Sequence, residues 1–274
     1  KRFIEEELVR FGIEYTFYPV EYTKKEIAKL IKKNTKVLFI ESPSSGTFEV
    51  QNIEELVAIA KEHNITTIFD DSWATPLYFK PLDFGIDVVV QSLTKYVCGH
   101  SDIILGAITF KKKHFKKMHR TFLNFGTIAS PDNCSLALRS LKTLHARLQL
   151  HNQNAIQVAN WLATHKKVLK VLHPALKDFQ GHRLWKKHFK GSTGTFGFVL
   201  QNCNKKSVHK FINSLKLFKI GLSWGGYESL IIPYYPSRIS QKENDNQKHY
   251  IRIHIGLENP DDLINDLDKA LKFL

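Results

Sequence analysis

The segment Val88-Val-Val-Gln-Ser-Leu-Thr-Lys95 runs from three valines into two hydroxyls and an amine. Residues 87–90 read as a buried parallel strand: short, β-branched, without alternation, and bounded by polar and glycine signals. A lysine at the mouth of such a strand sits where desolvation disfavours the ammonium form and pulls its pKa down. An amine of that kind is a nucleophile that forms Schiff bases with carbonyl compounds. The hydroxyls of Ser92 and Thr94 are suited to holding the phosphate of a carbonyl-bearing cofactor. The same spacing also suits a surface lysine that begins a loop.

The elements that position these groups follow from the runs around them. Residues 37–40 and 66–69 are two further short apolar runs. Between them, residues 52–62 have helical spacing, with Asn52 as N-cap and Glu55 three positions later, a variant of the capping box. This is a βαβ unit, and strands alternating with helices predict a mostly parallel sheet covered by helices. In such sheets functional groups gather beyond the carboxyl ends of the strands. The segments there are Glu41-Ser-Pro-Ser-Ser45, Asp70-Asp-Ser-Trp73 and Gln91-Ser-Leu-Thr-Lys95. A carboxylate at Asp70 is accounted for by a cation opposite it, and a protonated pyridine nitrogen is one such cation. A helix N-cap or a turn accounts for it equally.

Residues 132–165 repeat their polarity with helical period and contain neither proline nor glycine, which predicts a long connecting helix kinked or broken once. It separates a large domain, 1–141, from a smaller α+β domain, 142–274. The smaller domain holds the apolar run 195–200, a Gly221-Leu-Ser-Trp-Gly-Gly turn, and Tyr250-Ile-Arg-Ile-His-Ile255 in strict period two. Alternation puts the three isoleucines on one face and Tyr250, Arg252 and His254 on the other, so Arg252 is free to point into a cleft. Its planar guanidinium suits bidentate capture of an α-carboxylate, or a surface acid. A closing helix begins at Asn259-Pro-Asp-Asp262, with proline at its first position and carboxylates at the positive end of its dipole.

Composition narrows the function classes. A chain of 274 residues is long enough to bury a sizeable core. No apolar stretch approaches the roughly 18 to 20 residues of a membrane span, and no export signal is evident. Three scattered cysteines, Cys98, Cys134 and Cys203, form neither a disulfide framework nor a zinc motif, which fits a reducing cytoplasm. Thirteen histidines contain no metal-binding spacing, so no metal is expected. The formal charge of +14 is carried by dispersed lysines without a nucleic-acid-binding motif, and no nucleic-acid partner is expected.

The run FIESPSSGTFEV followed by IFDDSWATPLYFKPLDFGIDVVVQSLTKYVCGHSD resembles the trans-sulfuration (Cys/Met metabolism) family of pyridoxal-phosphate enzymes, and within it the bacterial cystathionine β-lyase group. The likeness extends from Arg10-Phe-Gly-Ile to the C-terminus. It implies the fold-type I architecture of aspartate aminotransferase, with pyridoxal 5'-phosphate as cofactor, Lys95 as the Schiff-base lysine, Asp70 on the pyridine nitrogen, and Ser92 and Thr94 on the phosphate. By the same resemblance, YIRIHIGLEN gives Arg252 the substrate carboxylate. SWGGYESL places Ser223 near the reactive lysine, with Trp224 lining the pocket; its double glycine also reads as a tight turn. Trp224, Tyr227 and Ser44-Ser-Gly46 favour the β-lyase branch, where γ-acting members typically carry SLGG(V/A)ESL. The resemblance therefore implies cleavage of cystathionine or other cysteine conjugates by a cytoplasmic homotetramer. A γ-lyase or γ-synthase, or a non-catalytic remnant, are the alternatives. Family members also carry an N-terminal region with an intersubunit arm, a glycine-containing phosphate loop and a tyrosine that stacks on the cofactor; that part of the fold is expected to be missing here.

Overall fold

The computed structural model describes residues 2–235 and 248–274. Two sheets organise the chain. The first has the order β1(Val37–Glu41), β2(Thr66–Asp70), β3(Val88–Ser92), β4(Gly106–Phe110). Its first three strands are parallel and β4 returns antiparallel at the edge. The three apolar runs are thus the three parallel strands, each extended to the polar residue that follows it: Glu41 aligns with Asp70 across β1 and β2, and Asp70 with Val90 across β2 and β3. The β4 strand carries no alternation that marks it in the sequence, and it supplies the antiparallel component of an otherwise parallel sheet.

The crossover between β1 and β2 is helix Ile53–Glu62, whose Asn52 side chain accepts the Glu55 N–H as the spacing predicted. This helix buries Ile53, Leu56, Val57, Ile59 and Ala60 against the sheet. The long helical pattern resolves into two helices, Pro131–Leu141 and Leu144–Thr164, broken at Lys142 and Thr143. The break lets the second helix turn one face to the other half of the molecule.

That half is built on a five-stranded sheet of order β5(Val168–Leu172), β6(Thr195–Leu200), β9(His249–His254), β8(Leu230–Tyr234), β7(Lys219–Ile220). Ile251, Ile253 and Ile255 are buried with Phe196, Phe198 and Leu200 against helices Leu144–Thr164 and Pro260–Leu271. Burial of that isoleucine face leaves the other face of β9 for the site, which is the division period-two alternation dictates. The closing helix is capped by Asn259, whose side chain accepts the Asp261 N–H, with Asp261 and Asp262 in its first turn. No described helix is long and apolar enough to cross a membrane.

The two sheets are tied together at the carboxyl end of β2. Trp73 is buried there, and its indole N–H donates to the Thr195 carbonyl of β6 at 2.9 Å. Its ring meets Phe189 edge-on. Replacing Trp73 by Phe leaves a buried carbonyl without this donor and a void beside Phe189, at an expected cost of about 2–3 kcal/mol. Urea unfolding of Trp73→Phe tests this: a midpoint unchanged from the parent would show that the tie contributes nothing.

Candidate active site

The site assembles from the strand ends of the first sheet and one face of the second. After β3 the chain closes a compact turn in which Lys95 N–H donates to Ser92 O and Gly99 N–H to Lys95 O. Arg147, reaching from helix Leu144–Thr164, is buried without a carboxylate partner among the described residues. It donates instead to Tyr96 O at 2.7 Å, Val97 O at 3.1 Å and Ser140 O at 3.0 Å. A buried guanidinium that spends its donors on carbonyls fixes their positions, because each lost bond would strand a charged donor. The turn carrying Lys95 is therefore rigidly held from behind.

In front of it lies the loop from Leu222 to Gly226. Lys95 Nζ donates to Ser223 Oγ at 2.7 Å and stands 5.1 Å from the centroid of the Trp224 ring. Gly225 has φ +86°, and a Cβ on it would lie 2.7–2.9 Å from Tyr96 N and from Lys95 C and Cα, so the loop backbone rests directly on the backbone of Lys95. Only glycine satisfies both conditions. Burial, followed by the neighbouring charge of Arg252, holds the Lys95 amine below the ordinary lysine range. No described carboxylate forms a salt bridge with it.

Arg252 emerges from β9 into the same space. Its Nη2 donates to Leu222 O at 2.5 Å, with Ser223 O at 3.5 Å, and no described acid pairs with it. Tyr234, on the neighbouring strand β8, covers Gly46 and donates to Ser45 O at 3.2 Å, which closes the side of the cleft nearest β1. Tyr227 stands apart: its side chain is exposed, and its carbonyl accepts the Leu257 N–H.

The floor is acidic. Asp70 Oδ1 accepts the Ser72 N–H at 3.0 Å. Asp71 is buried, with Oδ2 accepting from Gln91 Nε2 at 3.1 Å and Oδ1 without a partner. Burial, with the adjacent Asp70, pushes Asp71 well above the usual carboxylate range. Glu41 is raised in the same way, chiefly by burial and against hydrogen bonds from Ser45. Three carboxyls thus converge where two strands end, with no described cation to balance them, an arrangement suited to a cationic guest. Ser92 offers a hydroxyl free of described hydrogen bonds, while its N–H donates to Ser72 Oγ at 2.7 Å. Thr94 is already engaged, donating to Leu105 O and accepting the Leu105 N–H.

Of the eight residues expected from the sequence, Lys95, Ser223, Trp224 and Arg252 meet in one cleft, and Asp70 and Ser92 are the last residues of β2 and β3 beside it. Thr94 is next to Lys95 but committed to Leu105, and Tyr227 makes no described contact with the cleft. Sequence reasoning missed Arg147, an arginine in a helix with no local mark of burial. It also passed over Asp71, which adjoins Asp70 in the same Asp-Asp-Ser-Trp signal. Among the described residues no group of histidine, cysteine and acidic side chains is placed to hold a metal ion.

The model of the family described as Cys/Met metabolism PLP-dependent enzymes matches residues 1–272. The chain belongs to that family. It is 45% identical to an L-alanine/L-glutamate racemase of Wolbachia pipientis wMel over 99% of its length and 67% of that protein's. It is 40% identical to the cystathionine beta-lyase MetC of Escherichia coli K12 over 89% of its length and 63% of that protein's. The structure of cystathionine gamma-lyase from Lactobacillus plantarum complexed with L-serine superposes with a TM-score of 0.89 at 28% identity, covering 99% of this chain and 72% of that one. The chain therefore spans about two thirds of the length of these relatives, and it has the fold-type I architecture of PLP-dependent lyases. Pyridoxal phosphate is the family's cofactor, and the residues present fit it: an amine depressed by burial, a hydroxyl free of described hydrogen bonds at the last residue of β3, and an acidic floor with no described cation.

The unpaired Asp71 oxygen generates a stability prediction. A carboxyl whose folded pKa is raised binds more protons in the folded than in the unfolded state, so stability falls as pH rises from the ordinary carboxylate range, about 3.9, through the folded pKa. Asp71→Asn abolishes that loss. The variant should gain stability relative to the parent between pH 4.5 and pH 7.5 in urea unfolding, whereas a stability difference equal at both pH values would show that Asp71 is not held protonated.

Proposed function

We propose that this chain carries the cofactor- and substrate-binding groups of a carbon–sulfur β-lyase that converts cystathionine and water to homocysteine, pyruvate and ammonia, with other cysteine conjugates as further substrates. The observation that carries the proposal is the Lys95 amine seated on Ser223 Oγ beside the aromatic face of Trp224, with Arg252, which no described acid pairs, in the same cleft. In this reading Lys95, Asp70, Ser92 and Thr94 hold the cofactor, and Ser223, Trp224 and Arg252 face the substrate. Bound pyridoxal phosphate supplies an electron sink for the charge left at Cα when its proton is removed.

The chain's own residues do the rest. Arg252 turns from the Leu222 carbonyl to take the substrate α-carboxylate with two parallel N–H donors. That fixes the Cα–H bond toward Lys95. Lys95, whose charged form burial disfavours, removes the Cα proton as a general base. Ser223 Oγ accepts one Lys95 N–H and so aims the nitrogen lone pair. Trp224 excludes water from the amine. Asp70 would hold the cofactor's cationic ring, Ser92 would offer its hydroxyl to the phosphate, and Thr94 would join it on giving up its hydrogen bond to Leu105 O. Loss of the thiolate from Cβ then completes elimination; the thiolate takes up the proton held by Lys95 and leaves as homocysteine, and water hydrolyses the released three-carbon enamine to pyruvate and ammonia.

The 45% identity to a protein named as an L-alanine/L-glutamate racemase supports a second reading. Racemisation begins with the same proton removal by Lys95 but returns a proton to the opposite face of Cα, with no bond broken at Cβ. For either reading the complete protein is proposed to be a cytoplasmic homotetramer. Free Cys98, Cys134 and Cys203 support a reducing compartment, and exposed Ile104, Phe125, Ile128 and Leu138 support further protein covering that side.

Product analysis of the full-length, cofactor-loaded protein tests the proposal. Cystathionine should yield pyruvate with little 2-oxobutyrate, and Lys95→Ala should lower turnover by about 10³-fold or more while retaining the fold. Dominant 2-oxobutyrate would place the enzyme among γ-lyases. D-enantiomer from L-alanine or L-glutamate without pyruvate from cystathionine would establish the racemase reading, and wild-type turnover by Lys95→Ala would overturn both.

A further inference from the structure

Behind the cleft lies a buried polar chain that the proposed chemistry does not use. Tyr96, the residue after Lys95, is fully buried. Its hydroxyl accepts the Thr195 N–H at 3.0 Å and lies 3.0 Å from Thr195 Oγ1. Thr195 Oγ1 is 3.1 Å from Nδ1 of His254, itself 1% exposed. On the far side of the ring, His254 Nε2 accepts the Gly225 N–H at 3.1 Å and lies 3.0 Å from Gly226 O. Gly225 leads back through Trp224 to Ser223, whose hydroxyl receives the Lys95 amine. The path is closed: it leaves Lys95 through the backbone and returns to its side chain.

The ring at the centre of this path is a neutral imidazole. Burial, followed by the neighbouring His151, lowers its pKa to about 3, against a hydrogen bond to Gly226 O that raises it. The groups facing it support the same state: His151 at 5.2 Å between ring centroids, itself lowered to about 4, Tyr96 at 5.8 Å, and the cations Arg252 and Lys95. With Nδ1 protonated the neutral ring donates to Thr195 Oγ1 and accepts the Gly225 N–H at Nε2; with Nε2 protonated it donates to Gly226 O, and in both tautomers it bonds the Gly225–Gly226 backbone. Strand β9 therefore fastens the Leu222–Gly226 loop at two points two residues apart, through Arg252 on the carbonyls of Leu222 and Ser223 and through His254 on Gly225.

These two fastenings have different fates when substrate arrives, because a carboxylate competes for the guanidinium but not for a buried imidazole. We propose that His254 is a positioning residue which keeps the Ser223 hydroxyl on the Lys95 amine while Arg252 leaves the loop to bind the substrate carboxylate. The inference rests on Lys95 being the reactive amine. It gives a function to a histidine that alternation alone would have pointed at the cleft, and it accounts for the glycine at 225, whose backbone must reach both His254 and Lys95.

The test reads the Lys95 amine itself. The full-length protein, stripped of cofactor, is labelled with trinitrobenzenesulfonate across a pH series, and modification of Lys95 is followed by peptide mass spectrometry. The parent should label with a midpoint below that of Nα-acetyl-lysine. His254→Phe, which keeps a buried ring but offers no acceptor, should let the loop lift and water reach the amine, raising the midpoint by about half a pH unit or more. His254→Gln, whose carbonyl oxygen can take the Gly225 N–H, should restore the parental midpoint. A His254→Phe midpoint equal to the parent's, or a His254→Gln midpoint as high as that of His254→Phe, would overturn the proposal. If His254→Phe does not fold, the near-isosteric Thr195→Val, which removes the partner of Nδ1, must move the midpoint in the same direction, and an unmoved midpoint overturns it. A parental midpoint no lower than that of Nα-acetyl-lysine would instead count against Lys95 as the reactive amine.

Discussion

The contact on which the site depends is the one between two stretches of backbone, Gly225 lying on Lys95 and Tyr96. It brings the second sheet's loop within hydrogen-bonding reach of an amine that belongs to the first. A side chain at 225 would clash with the backbone of Lys95 and Tyr96 and force the loop off it, disturbing the contacts of Ser223 and Trp224 with the amine. The desolvation that lowers the Lys95 pKa is therefore a property of the assembled pair of sheets and not of either one alone.

Two buried cationic or polar groups hold that contact from opposite sides. Arg147 grips the turn of Lys95 through its carbonyls, and His254 grips the loop of Gly225 through its N–H. Each makes most of its hydrogen bonds to backbone, and each would be costly to leave unpaired. Rigidity is built this way because catalytic groups must be held to a fraction of an ångström, whereas the faces that carry them come from elements far apart in sequence.

The parallel strands were legible because β-branched runs without alternation have few other readings, and Asn52 and Asn259 marked their helices because cap chemistry is local. Lys95 and Asp70 were legible as strand-end polar residues, and Arg252 by period-two alternation opposite three isoleucines. What sequence did not disclose depends on tertiary approach. Alternation assigned His254 to the cleft face, yet the sheet packs Tyr96 and His151 over it and buries it. Thr94 reads as a phosphate ligand until the return of the chain at Leu105 claims its hydroxyl. Arg147 lies in a helix whose sequence resembles any amphipathic surface. The Asp70-Asp71 pair was visible, but only burial separates the two carboxyls into a partly exposed one at the cleft and a buried one beneath it whose charged form is disfavoured.

The central claim, that a Lys95 amine held by the second sheet is the group that bonds the cofactor, is tested most directly by covalent trapping. Borohydride reduction of the full-length protein loaded with pyridoxal phosphate, followed by proteolysis and mass spectrometry, fixes the cofactor to whichever amine carries it. The account predicts a single pyridoxyl group on Lys95. A label distributed over other lysines, or absent from Lys95, would contradict it.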